Sequence, residues 1–275
     1  MELASPQQTA VTAEPAAALR LCVLASGSSG NCTVVFNDAT AIMIDAGLSA
    51  RETARRLDAV GLSLDRISGI LISHEHGDHI AGLRVLHQKH GIPCYANHGT
   101  AEAIARNQAL SGVDIHLFST GFAFEVGGFS IEPFSVPHDA YEPVGFVIST
   151  PASRIGVVTD MGVATGVIRS RLAECRVIVV EANHDEGMLM DAERPWALKQ
   201  RIRGRQGHLS NQAAAQLIGD VAGPHLKRVY LAHLSEDCNR AHLAEREVRT
   251  HLDKRGWSHV EVAMTYPDRI SDVWG

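Results

Sequence analysis

Apolar and polar positions alternate along the chain in short blocks. Three strand-like runs come close together near the start, Leu21–Ala25, Thr33–Phe36 and Ala41–Asp45, each bounded by Gly, Asn or Asp. Ser49 and Glu52 have capping-box spacing and lead into a helix with Ala54, Leu57 and Val60 on one face, ended by Gly61. Gly69–Ser73 has the continuous apolar character of a buried strand, and Ile80–His90 reads as a helix that stops at Gly91. The second half repeats the style. Phe129–Val136, Val144–Ser149, Ile155–Thr159, Val177–Val180 and Arg228–Ala232 read as strands, Ser210–Val221 and Arg240–Lys254 as helices. Two clusters of strands, each followed by helices, predict an α/β fold whose sheets are covered on their outer faces. There is no internal repeat and no linker rich in Pro, Gly or Ser. One domain is expected over residues 19–275, behind an Ala/Pro/Thr tail over residues 1–18.

Composition narrows the class. With 45% apolar and 20% charged residues, the 275-residue chain is not largely disordered. No apolar run approaches the roughly 20 residues of a membrane span. The stretch MELASPQQTAVTAEPAAALR lacks the basic start and unbroken apolar segment of an export signal. Cys22, Cys32, Cys94, Cys175 and Cys238 are odd in number, scattered and without CxxC spacing, which fits a reducing compartment. A cytoplasmic protein with no membrane partner is expected. The net charge of −6 argues against indiscriminate nucleic-acid binding but leaves room for a local basic patch. The 15 histidines remain to be explained.

Part of the explanation lies in Ser73-His74-Glu75-His76-Gly77-Asp78-His79, between an apolar strand and a helix. Four potential ligands in six residues cannot face one point from a regular helix or strand, but a loop can converge them. Neutral imidazoles and carboxylate suit Zn²⁺ or Mn²⁺, and Fe²⁺ also fits. Three remote candidates share one context, an apolar strand ending in a polar residue: His138, Asp160 and His233. Ligands at successive strand ends meet along one edge of a sheet, where loops build sites. Taken singly, each is equally well a turn residue. Together the seven would serve two metals, which can clamp the attacking and leaving oxygens of a phosphoryl displacement.

This ordered set, His74-x-His76-x-Asp78-His79, His138, Asp160 and His233, resembles the metallo-β-lactamase superfamily from Leu21 onward. The resemblance implies a four-layer αβ/βα sandwich of class α/β. It puts one metal on His74, His76 and His138, a second on Asp78, His79 and His233, and Asp160 between them. Asp45 matches the superfamily's early Asp, which supports the metal loop. Because the fold hosts many substrates, function must come from other residues. Arg194–Arg205 holds Arg194, Lys199, Arg201, Arg203 and Arg205 without an acid, with Trp196 among them. Such a strip suits phosphates, and an exposed Trp can stack a base; a solvated helix face is the other reading. Gly207-His208-Leu209-Ser210-Asn211 opens a helix and suits a phosphate contact, or Ser210 is simply an N-cap. Ser26–Asn31, with Ser28 and Asn31, is a small-residue turn that could approach a substrate closely.

Gly27–Asn31, Ser73–His79, His138-Asp139-Ala140 with Glu142-Pro143, Glu181–Asp185, Pro195-Trp196, Gly207–Asn211 and Leu231–Ser235 together resemble the YycJ/WalJ branch. Cys238 departs from the polar residue usual there. The resemblance implies a cytoplasmic dinuclear-metal phosphodiesterase, a 5′-to-3′ DNA exonuclease using a metal-bound hydroxide, with Asp78 and His208 catalytic. Glu181 and His184 would support the ligands. Gly207–Ser210 also resembles the ribonuclease Z branch, so an RNA nuclease is one alternative. A small-molecule hydrolase of thioesters, lactones or cyclic phosphodiesters is another, and a non-catalytic metal-binding scaffold a third.

Overall fold

The computed structural model describes residues 18–275; the tail expected over residues 1–18 lies, but for its last residue, outside them. The first half runs β1 (Arg20–Ala25), β2 (Cys32–Phe36), β3 (Ala41–Ile44), α1 (Ala50–Asp58), β4 (Ile67–Leu71) and α2 (Gly77–Ile80). It continues with α3 (Leu83–His90), β5 (Cys94–Ala96), α4 (His98–Arg106) and β6 (Ile115–Leu117). Its strands form a sheet in chain order, antiparallel from β1 to β3 and parallel from β3 to β6.

The second half opens with β7 (Phe124–Val126), β8 (Phe129–Ser135), β9 (Val144–Thr150), β10 (Ser153–Val158), α5 (Gly166–Leu172) and β11 (Val177–Glu181). Then follow α6 (Glu186–Asp191), α7 (Trp196–Arg203), α8 (Asn211–Val221), β12 (Arg228–Ala232), α9 (Ala241–Lys254) and β13 (Glu261–Met264). This sheet is antiparallel from β7 to β10 and parallel from β10 to β13.

The period-2 alternation of a strand sends successive side chains to opposite faces. Leu21, Val23, Ile42 and Ile44 of the first sheet meet Phe129, Phe146, Val157, Val179 and Tyr230 of the second in a central layer. The alternate residues Cys22, Leu24, Val34 and Met43 pack with Leu57 of α1 and Leu83 and Leu86 of α3. On the far side Val158, Ile178, Val180 and Leu231 pack with Leu172, Leu217, Ile218, Val248 and Leu252 of α5, α8 and α9. Both faces of each sheet are thus buried, which is why the strands read as unbroken apolar runs. The order of layers is the expected αβ/βα sandwich.

Ser49 caps α1, its hydroxyl accepting from the N–H of Glu52. The helix expected over Ile80–His90 is instead two helices parted at Gly82, whose N–H donates to Ala46 O at 2.8 Å. A Cβ at Gly82 would lie 2.0 Å from Leu48 O, so a distant loop dictates the break and local periodicity carries no sign of it. β5, β6, β7 and β13 are three or four residues long and were not expected. Their definition comes from pairing with a neighbour. No helix of the described residues is long and apolar enough to cross a membrane.

Candidate metal centre

Strand ends assemble the centre. Parallel register pairs Val158 with Val180 and Glu181 with Ala232, bringing Asp160, Glu181 and His233 to one edge of the second sheet. Opposite, Ile44 pairs with Leu71, so Asp45 and the Ser73–His79 loop leave the first sheet together. His138 sits in the connection between β8 and β9. Three non-glycine residues have left-handed backbones, Asp45 (φ 62°), Asp160 (φ 54°) and His233 (φ 54°). Each follows a strand of the centre, and such strain costs on the order of 1–3 kcal/mol per residue. Gly47 lets its loop close against Asp78: a Cβ there would fall 1.8 Å from Asp78 O.

The ligating atoms of His74, His76 and His138 lie within 4.8 Å of one another, as do those of Asp78, His79 and His233, and those of His74, His79 and Asp160. His74 Nε2, His138 Nε2 and Asp160 Oδ2 are buried without a hydrogen-bond partner. Burying such atoms unpaired is costly, and a divalent cation among them removes the cost. Asp160 Oδ2 lies 3.2 Å from His79 Nε2, without the geometry of a hydrogen bond.

The outer nitrogens are held by the protein, as ligating histidines require. His79 Nδ1 donates to Asp45 Oδ2 at 2.7 Å. His74 Nδ1 lies 3.0 Å from Ser73 Oγ, which donates to Asp45 Oδ2 at 2.8 Å. His138 Nδ1 donates to Gly207 O at 3.0 Å and His233 Nδ1 lies 3.2 Å from Glu181 Oε1. Asn31, buried, donates to Asp78 Oδ2 at 3.1 Å. Four imidazoles therefore turn Nε2 inward, and the donor set fits divalent metal ions.

Burial keeps His74 well below its ordinary value, and lowers His138 as well, so both are neutral. Burial would also depress His233, but Asp160, Asp78 and Glu181 outweigh it and lift it to about 10. His79 is likewise raised well above its ordinary value, burial being overcome by Asp45 and Asp160. Asp160 is held well below its ordinary value, against burial, by His233 and His79. Protons held between these imidazoles and carboxylates are the ones a cation would displace.

His208 stands beside the cluster with Nδ1 2.7 Å from Glu181 Oε1. Burial opposes its charge, yet Glu181 raises it, and Glu181 itself is drawn down to about 2, chiefly by His208 working against burial. A cavity of about 190 Å³ is lined by His76, Asp78, His138, Asp160, His208 and His233, with the exposed Ser28 and Arg201 also on its wall. Ser28, Asp139, Arg201 and His208 also line an adjoining cavity of about 210 Å³ that Arg194, Leu198 and Ile202 help close.

Not every residue singled out above reaches the centre. Ser210 accepts from Ala213 N and caps α8, and Asn211 is buried in a reciprocal amide pair with Asn239. His184 is buried beside α8, its carbonyl accepting from Asn211 N. Trp196, Arg203 and Arg205 are exposed, and Lys199 donates to Met190 O. Arg194 and Arg201 are ion-paired with Asp237 and Asp139. Asp139 and Asn183, which donates to His233 O at 2.8 Å, were given no role from the sequence. Adjacency to His138 was the available signal for Asp139.

A family model for the β-lactamase superfamily domain matches residues 40–234. The chain belongs to this superfamily. Within it, the exodeoxyribonuclease YycJ of Bacillus anthracis is 37% identical over 240 residues, covering 87% of this chain and 91% of that one. The exodeoxyribonuclease WalJ of Streptococcus pneumoniae serotype 2 is 35% identical over 225 residues, 81% and 84% of the two chains. This superfamily member therefore falls in the YycJ/WalJ branch. Its fold is shared by the metallo-β-lactamase fold protein YhfI from Bacillus subtilis, at a TM-score of 0.71 and 14% identity over 93% of this chain and 98% of that one.

Proposed function

We propose that this protein is a dinuclear-metal phosphodiesterase that degrades DNA from 5′ ends in the cytoplasm. The observation that carries the reading is the convergence of seven His and Asp side chains, three with buried unpartnered atoms, in a cleft beside a carboxylate-paired histidine. Relatives named exodeoxyribonucleases across most of the chain support DNA as the substrate. His74, His76 and His138 would hold one ion, Asp78, His79 and His233 the other, with Asp160 between them, and the donors suit Zn²⁺ or Mn²⁺. When bound, such ions polarise a phosphoryl oxygen and ease the deprotonation of water.

The chain's own groups do the rest. Asp78, whose Oδ2 accepts from Asn31 at 3.1 Å, orients the attacking water. His208, held through Nδ1 by Glu181, which raises its hold on a proton against burial, donates that proton to the departing oxygen. Ser28 and Arg201 on the cavity wall bind phosphate oxygens.

The test combines metal analysis with digestion of DNA and RNA labelled at either end. The expected result is divalent metal bound to the chain, release of product from the 5′ end of DNA, and loss of turnover in a folded Asp78→Ala variant. Wild-type cleavage by that variant sinks the assignment. Digestion of RNA alone would make it a ribonuclease, and no digestion of either with Zn²⁺ or Mn²⁺ restored, a small-molecule hydrolase.

A further inference from the structure

The connection between β8 and β9 is held down along its length. His138 is bonded to Gly207 O, and Asp139 is paired with Arg201 of α7. The Tyr141 N–H donates to Glu75 Oε1 at 2.9 Å, and the Glu142 carboxylate accepts from Gly99 N at 3.0 Å and Thr120 Oγ1 at 2.7 Å. Glu75 is the residue between His74 and His76, so the loop of the first metal set anchors the backbone of Tyr141. Yet the side chain of Tyr141 is left 60% exposed. Arg106 of α4 donates to its hydroxyl at 3.0 Å and sets its guanidinium carbon 5.6 Å from the ring centroid. Arg106 is in turn braced by Glu102.

One exposed aromatic is ordinary. An aromatic fixed at its backbone and its hydroxyl, on the loop that carries a cluster histidine, has little rotamer freedom left to lose on binding. A rigid π face backed by a cation suits a nucleobase, and base–aromatic stacking tolerates any sequence. In a duplex those base faces are covered by neighbouring pairs; in a single strand they are open.

We propose that Tyr141, braced by Arg106, is a stacking platform for a nucleobase of the bound strand, so that the strand is bound single-stranded at this point. The inference rests on the nuclease reading. The test measures kcat and KM on a single-stranded DNA oligonucleotide for the wild type, Tyr141→Ala and Tyr141→Phe, with thermal unfolding alongside. Loss of the ring should raise KM by roughly 5- to 150-fold, the worth of one stacked base. The kcat should move less than about threefold, and Phe, which keeps the ring, should restore most of the KM. An unchanged KM, a Phe variant as poor as Ala, or a fall in kcat and thermal stability without a rise in KM overturns the platform. Wild-type digestion of DNA alongside any of these leaves the nuclease reading standing. A wild type that digests no DNA removes that reading, and the platform with it.

Discussion

Replacing Glu181 with Gln is a nearly isosteric change whose cost follows from four hydrogen bonds. The carboxylate is fully buried. Oε2 accepts from Met161 N at 2.9 Å and Leu209 N at 3.0 Å, while Oε1 faces His208 Nδ1 at 2.7 Å and His233 Nδ1 at 3.2 Å. A glutamine keeps one acceptor oxygen. If that oxygen faces the two backbone donors, the amide NH₂ meets both imidazoles. His208 can adapt by moving its proton to Nε2. His233 cannot, because Nε2 either serves the metal or, without metal, already carries a proton toward Asp78 3.4 Å away, so Nδ1 keeps its own proton facing the amide. At least one buried donor is left facing another, and a charge-assisted bond to His208 is lost. At about 1–3 kcal/mol for each of these, the variant should be less stable by roughly 2–5 kcal/mol.

For a chain of this size that lowers Tm by roughly 4–20 °C, measured by calorimetry at one fixed concentration of divalent ion. The pH dependence, measured without metal, carries a sign. Glu181 is depressed from 4.5 to about 2, so its contribution is complete above 4.5 and fades as pH falls toward 2. His208 is raised above 6.5, so its share is complete below 6.5 and is lost as pH rises through its elevated value. The gap between wild type and variant should therefore be widest between pH 4.5 and 6.5. A Tm within about 2 °C of wild type across that window would refute the reasoning.

Gly82→Ala should lower Tm by several degrees, because its Cβ would meet the Leu48 carbonyl at 2.0 Å and overpacking costs about 1–3 kcal/mol; unchanged unfolding would show that the α2–α3 break adapts freely. Arg203 and Arg205 are exposed, and Arg203 donates only to Met190 Sδ among the described residues. Reversing both to Glu should weaken single-stranded DNA binding and flatten its log–log salt dependence by roughly 0.7 for each phosphate no longer neutralised; an unaltered slope in a salt titration would mean the strip does not meet the DNA backbone.

The cluster was legible in the sequence because metal chemistry restricts which atoms can ligate, and because each of the seven residues follows or adjoins an apolar run that reads as a strand. Two-sided burial likewise wrote the long strands as unbroken apolar stretches, and the Ser49 cap showed itself by local spacing alone. Such features depend on residue type and near neighbours along the chain. Polar residues outside the cluster were decided in space. Ser210, legible in the sequence as either a phosphate contact or an N-cap, caps α8, and Asn211 is locked to Asn239. Asn31 turned inward to steady Asp78. The basic strip is partly neutralised by Asp139, 62 residues from Arg201, and by Asp237, 43 residues from Arg194. The left-handed backbones at Asp45, Asp160 and His233 and the pinned ring of Tyr141 also required the packed molecule. A hydrogen-bonding side chain takes whichever partner the fold brings within about 3 Å. The sequence by itself therefore determined the layered fold's main strands and the seven converging side chains, whereas which remaining polar groups face the cleft was decided by the tertiary contacts of distant segments.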